Sequence, residues 1–244
     1  MYRFATSIRQ IALDYADYRV DMLNRDGFHV SFRDDIRAWA EFVRGTGHPI
    51  VNPTFDPDQR DFDDKDCFWI EVSDAATGSP VACIADMRFE GAGYRELMRS
   101  GRLWYRDPLE AGFVPEAAVE PDCPALDGTV AQHGGLVVYP DWRGRGLAQA
   151  LTRLCRALSV SRWNVNWHCG ITLGHLAERG YPTRIYGYTH QSVCYEGYFP
   201  PAGGPARVYM TMISRAGMLD QMAGDLIVPG AGDEQPAGRA VGFA

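Results

Sequence analysis

Residues 136–148 read Leu136-Val137-Val138-Tyr139-Pro140-Asp141-Trp142-Arg143-Gly144-Arg145-Gly146-Leu147-Ala148, and they decide how the rest of the sequence is interpreted. An apolar run ends at Pro140, and a loop with glycines at 144 and 146 follows. Apolar residues then recur at helical spacing, at Leu147, Leu151, Leu154 and Leu158. The stretch therefore predicts a strand, a sharp break, a glycine-containing loop and a helix.

The predicted loop has the properties of an anion site. The first N–H groups of a helix have no partner inside the helix, and the helix dipole favours negative charge at that end. Gly144, Gly146 and the small Ala148 leave room for an anion close to the backbone. The stretch contains neither the Gly-Lys-[Ser/Thr] of a P-loop nor the Gly-x-Gly-x-x-Gly dinucleotide fingerprint. We therefore expect a phosphate-binding loop of another kind; a solvated turn and a short basic RNA-binding tract are the alternatives.

Residues 138–148 resemble the pyrophosphate loop of the GCN5-related N-acetyltransferase superfamily. The loop of that family reads Gln/Arg-x-x-Gly-x-Gly/Ala, and residues 143–148 have a family residue at every specified position. The approach Val138-x-Pro140-x-x-Arg143 is also usual for the family. The resemblance covers residues 1–214 and implies an α/β fold with a mixed, mostly antiparallel central sheet flanked by helices.

The resemblance also implies a co-substrate and a reaction. Acetyl-CoA or another acyl-CoA would place its pyrophosphate on the N–H groups of the loop and its pantetheine arm along the strand, and no metal is expected. The residues expected to bind it are Leu136, Val137, Val138, Arg143, Gly144, Arg145, Gly146, Leu147 and Ala148. The implied reaction transfers an acetyl or other short acyl group to an amine on a small molecule or peptide. Many members of that family form dimers, so the resemblance allows a homodimer here.

The sequence departs from the family's catalytic pattern at two positions. The carboxylate that many members use as a base corresponds here to Gln132, which cannot accept a proton. The adjacent His133 can, although strand alternation sends it to the opposite face unless a bulge intervenes. The tyrosine that protonates the leaving thiolate in many members corresponds to Leu176, beside His175. We predict His133 and His175 as catalytic residues, with a structural histidine and a packing or surface residue as the alternatives.

The chain before the loop predicts a hairpin and an insertion. Alternating runs at 68–73 and 81–89 flank a turn rich in Gly, Pro and Ser, which indicates two antiparallel strands. Residues 91–128 are irregular, and a loop that long is usually functional or disordered. We predict that Glu90, Trp104 and Tyr105 contact the acceptor. The alternatives are solvated charges at the end of the hairpin (Asp86, Arg88 and Glu90) and a surface loop folded over one face of the core.

Periodicity predicts the remaining elements. One helix begins at Ile8 and stops at Asp26, and a second begins at Ser31 and ends at Gly45. After the loop and its helix we expect a strand at 164–173, a short helix at 174–179, strands at 185–198 and 207–213, and a weak helix after 215. Residues 1–214 form the predicted acyltransferase domain, and residues 215–244 a C-terminal extension that is loose from 229.

Composition limits the class of protein. The 244 residues are 46% hydrophobic and 23% charged, as in an ordinary globular protein, and a net charge of −7 argues against a general nucleic-acid binder. No apolar stretch reaches the ~20 residues of a membrane span, and early aspartates argue against a secretory signal. We therefore expect a cytoplasmic protein. Its six scattered cysteines are predicted to be small buried residues rather than metal ligands.

Two other functions remain open from the sequence. The first is a catalytically idle acyl-CoA-binding sensor or assembly module, which the missing carboxylate and tyrosine favour. The second is an acyltransferase that uses a longer acyl donor or one bound to a carrier protein. The acidic run at 58–66 is interpreted as a solvated loop, or as a segment that steers a cationic amine.

Overall fold

The structure is a computed structural model that describes residues 7–47, 51–61 and 63–227. Seven strands of these residues form one sheet: β1 (Phe28–Arg33), β2 (Cys67–Asp74), β3 (Pro80–Glu90), β4 (Thr129–Val138), β5 (Trp167–Leu173), β6 (His190–Phe199) and β7 (Gly204–Ser214). Their order across the sheet is β1-β2-β3-β4-β5-β7-β6. Within the described sheet β4 and β5 are parallel, and the other neighbours are antiparallel.

Helices cover both faces of this sheet. They are α1 (Ile8–Arg25), α2 (Ile36–Gly45), α3 (Gly91–Arg99), α4 (Leu147–Trp163), α5 (Gly174–Ala177), α6 (Tyr181–Arg184) and α7 (Arg215–Ile227). The buried residues of α1, α4 and α7 share one core with one face of the sheet. Those of α2 and of the 91–128 insertion, which includes α3, share a second core on the other face. The predicted α/β fold, with a mixed and mostly antiparallel sheet, is confirmed.

The predicted start of the second helix is wrong. Ser31 lies in β1, which pairs with β2 from Phe28 opposite Asp74 to Arg33 opposite Trp69. The helix begins at Ile36, where the Asp35 carboxylate accepts hydrogen bonds from two first-turn amides at 2.9 and 3.2 Å. β1 has only six residues and lies directly before the helix, so its alternating pattern is too short to be distinguished from the period of a helix.

The last described helix belongs to the main core. α7 follows β7 directly, and its Met218 and Met222 are buried with residues of α1 and α4. Residues 215–227 thus pack with the predicted domain rather than apart from it. The loose tail predicted from 229 lies outside the described residues.

Two predictions from composition can be compared with the described chain. Five of the six cysteines are buried, Cys123 is half-buried, and all six are free thiols, as predicted. No helix among the described residues is both long enough and apolar enough to span a membrane.

Candidate functional site

The two parallel strands pair along only part of their length. Pairing of β4 with β5 begins at Val130 opposite Trp167 and ends at His133 opposite Gly170. Beyond this point β4 continues along β3, and β5 continues along β7. Residues 134–138 of β4 and 171–173 of β5 therefore border an opening, which we call the strand fork. Its β4 edge carries backbone groups to which an extended ligand can hydrogen-bond.

A bulge in β4 lies at the point where the strands separate. Val137 pairs with Cys83 and Gly134 with Ala85, so Gly135 and Leu136 together oppose one residue of β3. An extra residue of this kind bends a strand and increases its twist. Gly135 has φ +58°, and a Cβ there would overlap the ring of Trp39 from α2. A Cβ on Gly134 would lie 2.5 Å from the Phe55 ring, so both glycines are required for this packing.

The loop after β4 has the backbone of an anion site. Gly144 and Gly146 have φ +80° and +75°, a conformation that side chains other than glycine rarely adopt. A Cβ on either would meet no atom of the described chain within 4 Å, so the space above the loop is open. The first hydrogen bond of α4 runs from Ala150 N to Gly146 O at 3.0 Å. The amides of Leu147, Ala148 and Gln149 therefore lie ahead of the helical ladder.

The side chains around this loop have different surroundings. Arg143 and Arg145 are exposed; Arg143 Nε donates to Val138 O at 3.2 Å, and the Arg145 guanidinium lies 4.4 Å from the centre of the Trp142 ring. The Leu147 side chain is buried in the core. Leu136, Val137 and Val138 are half-buried against the two cores. The strand and Leu147 thus present backbone groups to a ligand, while the two arginines present charge.

Gln132, which the sequence resemblance aligns with the family's base, is enclosed. It is 1% exposed, and its Oε1 accepts a hydrogen bond of 2.7 Å from Tyr94 of α3. His133 lies on the opposite face of β4, as strand alternation predicts: its ring contacts Tyr188, which is buried in the core that contains α4. The insertion that carries Tyr94 therefore covers the Gln132 face of β4.

The structure buries the two aromatic residues of the insertion that are predicted to contact the acceptor. Trp104 is buried, with its ring centre 5.1 Å from that of Phe199 and 5.5 Å from that of Phe113. Tyr105 is buried in the same core. The insertion is folded over one face of the sheet, the alternative considered above. The sequence does not distinguish a core role from an acceptor contact, because large aromatic residues are common both in protein cores and in binding sites.

Glu90 and His175 lie at opposite ends of the sheet. Glu90 is exposed at the end of β3, opposite Thr129, which is five residues from Gly134 along β4, or about 17 Å at the rise of a strand. The predicted acceptor contact of Glu90 is therefore distant from the fork. His175 is exposed in α5, which follows β5 at the end of the sheet where the 143–148 loop lies.

Four buried side chains form a hydrogen-bonded series beside the last paired residues of β4 and β5. Asp86 Oδ2 lies 2.9 Å from His168 Nε2, and the Tyr188 hydroxyl lies 3.5 Å from His168 Nδ1. The same hydroxyl lies 3.2 and 3.3 Å from the two ring nitrogens of His133. We call these residues the polar chain: Asp86, His168, Tyr188 and His133. Ser159 of α4 donates to Asp86 Oδ2 at 2.6 Å.

Asp86 is completely buried, which corrects its interpretation as a solvated charge. Its neighbours in β3 are buried on both faces of the sheet. A carboxylate at the centre of such an apolar strand is unusual, and it is the feature of the sequence that indicates a buried polar group. Burial raises the pKa of Asp86 to about 8. Burial lowers the pKa of His133 and of His168 well below the usual histidine value.

The acidic run at 58–66, interpreted from the sequence as a solvated loop or a steering segment, forms ion pairs with basic side chains. Arg44 contacts Asp58 at 2.7 Å, Arg106 contacts Asp61 at 2.6 Å, and Arg88 contacts Asp66 at 2.5 Å. Local neutralisation of this kind weakens the long-range field of the loop. It therefore gives little support to steering of a cationic acceptor.

Several solved structures are similar in fold. Neither a family model nor a curated protein matches the sequence. Arabidopsis thaliana NAA60 with a bisubstrate analogue is 14% identical, with a TM-score of 0.43, over 76% of this chain and 97% of that chain. A mutant of the Vibrio cholerae spermidine N-acetyltransferase SpeG is 12% identical, with a TM-score of 0.47, over 79% and 97%. The Vibrio fischeri ribosomal-protein-S5-alanine acetyltransferase is 8% identical, with a TM-score of 0.46, over 78% and 93%.

The two Vibrio structures are acetyltransferases by name. Likenesses this distant transfer neither an activity nor a substrate to this chain.

Proposed function

We propose that this protein is an N-acyltransferase of the GCN5-related N-acetyltransferase type, which binds an acyl-CoA at the strand fork and the 143–148 loop. The observation that carries the proposal is the continuity of these two features. The open edge of β4 leads through Pro140 directly into a loop with two left-handed glycines and the start of α4. An acyl-CoA has the same two parts in the same order: an extended pantetheine arm that suits the strand edge, and a pyrophosphate that suits the loop and the start of α4.

Each part of the site has a separate task in the proposed reaction. The amides at the start of α4 and the charges of Arg143 and Arg145 bind the pyrophosphate. The backbone of residues 136–138 aligns the pantetheine arm, and a backbone N–H of β4 stabilises the oxyanion that forms on the thioester carbonyl. Acyl-CoA supplies that thioester. The protein contributes orientation, charge stabilisation and the handling of protons.

The acceptor is proposed to be an amine on a small molecule or a peptide. A free amine must attack the carbonyl, and Gln132 cannot remove its proton. Attack by amine molecules that are already neutral, oriented at the fork, requires no base at this position. Following the sequence prediction, we expect the enzyme to act in the cytoplasm.

The test measures thiol release from acetyl-CoA with a panel of amines, including spermidine, free amino acids and peptides with free N-termini. Amine-dependent release above the rate with water is expected. Stabilisation of the protein by acetyl-CoA without release on any amine would instead identify a catalytically idle binding module, which the enclosed Gln132 favours. A series of acyl-CoA chain lengths tests the longer-donor alternative with the same assay.

A further inference from the structure

The polar chain places four ionisable groups inside the core, where apolar residues would normally lie. Asp86 and His168 are completely buried, and His133 and Tyr188 are nearly so. Removing such groups from water costs free energy that hydrogen bonds only partly return. Buried ionisable groups therefore concentrate at functional sites.

The position of the polar chain relates it to the strand fork. His133, at one end, is the last residue of β4 that pairs with β5, opposite Gly170. A methyl group added to Gly170 would lie 2.7 Å from the Tyr188 oxygen, so this hydroxyl rests on the residue where pairing ends. Asp86, at the other end, is held by Ser159 and by the amide of Met87 at 2.9 Å. Asp86 is also the cross-strand partner of His133 in the pairing of β3 with β4. Both ends of the polar chain therefore lie side by side, at the residue of β4 where pairing with β5 ends.

We propose that the polar chain carries a proton from Asp86 to His133, which delivers it to the thiolate that leaves at the strand fork. This inference rests on the proposed function. The resemblance leaves the acid unassigned, because Leu176 occupies the position of the family's tyrosine. His133 is the catalytic residue in this step, and the other members position and supply the proton.

The proton transfers balance along the chain. The carbon–sulfur bond breaks with its electron pair on sulfur, and a ring N–H of His133 gives its proton to that sulfur. His133 takes a proton from the Tyr188 hydroxyl, which takes one from His168 Nδ1. His168 Nε2 takes the proton of the Asp86 carboxyl group, and the negative charge ends on Asp86. Solvent returns one proton to the polar chain before the next turnover.

The acidity of Asp86 suits this task. A carboxyl group with a pKa of about 8 is protonated at neutral pH, and an ordinary thiol has a pKa near ~8.5. Transfer between groups of similar acidity requires little free energy. Arg156 of α4 faces the polar chain with its guanidinium 4.5 Å from the Tyr188 ring centre, and its charge acts against the protonated form of Asp86. The Cys155 thiol also faces this core, and burial raises its pKa.

The first experiment observes the chain without any acceptor. Histidine ring nitrogens are followed by nitrogen-15 NMR from pH 6 to 9, with His133→Gln and His168→Gln used for assignment. We expect two neutral rings whose signals shift together near pH 8, and Asp86→Asn abolishes that shift. Ser159→Ala moves it to higher pH, because it removes a hydrogen bond that favours the Asp86 carboxylate. The control His29→Gln changes an exposed residue and leaves both signals unaltered.

Two NMR results would overturn the relay. One is a charged His168 across the whole range, which would mean a fixed ion pair with Asp86. The other is a His133 signal that does not respond to Asp86→Asn or to Ser159→Ala. Either result leaves acetyl-CoA binding, and hence the proposed function, untouched.

The second experiment tests the leaving group. With acetyl-CoA and the best amine of the panel, Asp86→Asn is expected to lower kcat by about 10²-fold, a magnitude typical of acid–base catalysis. With the acetyl selenoester of the same cofactor the loss should shrink to within about threefold, because a selenolate leaves without a proton. The wild-type kcat should fall above pH 8 with the thioester alone. An equal loss on both donors would make the role of Asp86 structural and reject the relay.

Discussion

The Tyr94 hydroxyl donates a 2.7 Å hydrogen bond to the Gln132 amide oxygen, which joins the insertion to the centre of β4. Both side chains are buried. The position that the sequence resemblance aligns with the family's base is therefore part of a structural contact in this protein. In the proposed function, acid–base chemistry at the fork comes from other groups, which gives the polar chain on the opposite face of β4 its importance.

This contact predicts a loss of stability in Tyr94→Phe. The substitution leaves the Gln132 oxygen buried without its donor, which costs about 1–3 kcal/mol in the free energy of unfolding by urea. Tyr105→Phe removes a hydroxyl of the same core for which the described chain shows no hydrogen bond, and it should change stability by less than about 0.5 kcal/mol. Equal effects of the two substitutions would contradict a specific role for the Tyr94 contact.

Trp104 provides a test that separates a core role of the insertion from a contact with the acceptor. As a core residue packed on Phe199, Trp104→Ala should lower the free energy of unfolding by about 3–5 kcal/mol. Leu109→Ala changes a residue that is 73% exposed, and it should cost less than about 0.5 kcal/mol. A stable Trp104→Ala protein with a raised KM for the amine would restore the acceptor contact.

The sequence predicted the loop and its flanking elements well because their signals are local. The apolar run, Pro140, the glycines and the leucine stripe each restrict the backbone within a few residues of themselves. β1 and α6 were missed. β1 owes its structure to pairing with β2, and α6 is one turn with Pro182 at its start, a position that proline favours but that the sequence presents as a break.

The polar chain could not be predicted because it depends on long-range packing. Its members come from three strands and the segment before β6, and Asp86 and His168 are 82 residues apart. Strand alternation correctly predicts that Gln132 and His133 lie on opposite faces of β4. It does not predict which side chains from other elements each of them contacts. The one indication available in the sequence was the position of Asp86 within a strand whose two faces are both apolar.

Asp86 predicts how stability depends on pH. Its folded pKa of about 8 exceeds the unfolded value of ~3.9, so the native state holds a proton that the unfolded state has lost between these values. Stability should therefore fall from pH 6.5 to 8, by up to about 1.4 kcal/mol per pH unit, and level off above 8. His133 and His168, whose pKa values are lowered, oppose this slope only below about pH 6.5.

The measurement compares urea unfolding of wild type and Asp86→Asn at several pH values between 6.5 and 9. The asparagine variant lacks the ionisable group, so its curve should lack the Asp86 slope. Parallel curves for the two proteins would show that Asp86 does not hold a proton at neutral pH, which would also remove the basis of the relay.

Gly146→Glu tests the anion site most directly. The added carboxylate would project into open space at the start of α4, where it competes with a pyrophosphate for the same amides and repels it. Acetyl-CoA should then no longer raise the melting temperature. Gly203→Glu is a matched control, since Gly203 also has a positive φ, +65°, and open space around it but lies in the turn between β6 and β7. If both variants keep the acetyl-CoA shift, the 143–148 loop does not hold the pyrophosphate; if both lose it, backbone strain rather than charge is the cause, and only loss confined to Gly146→Glu supports the site.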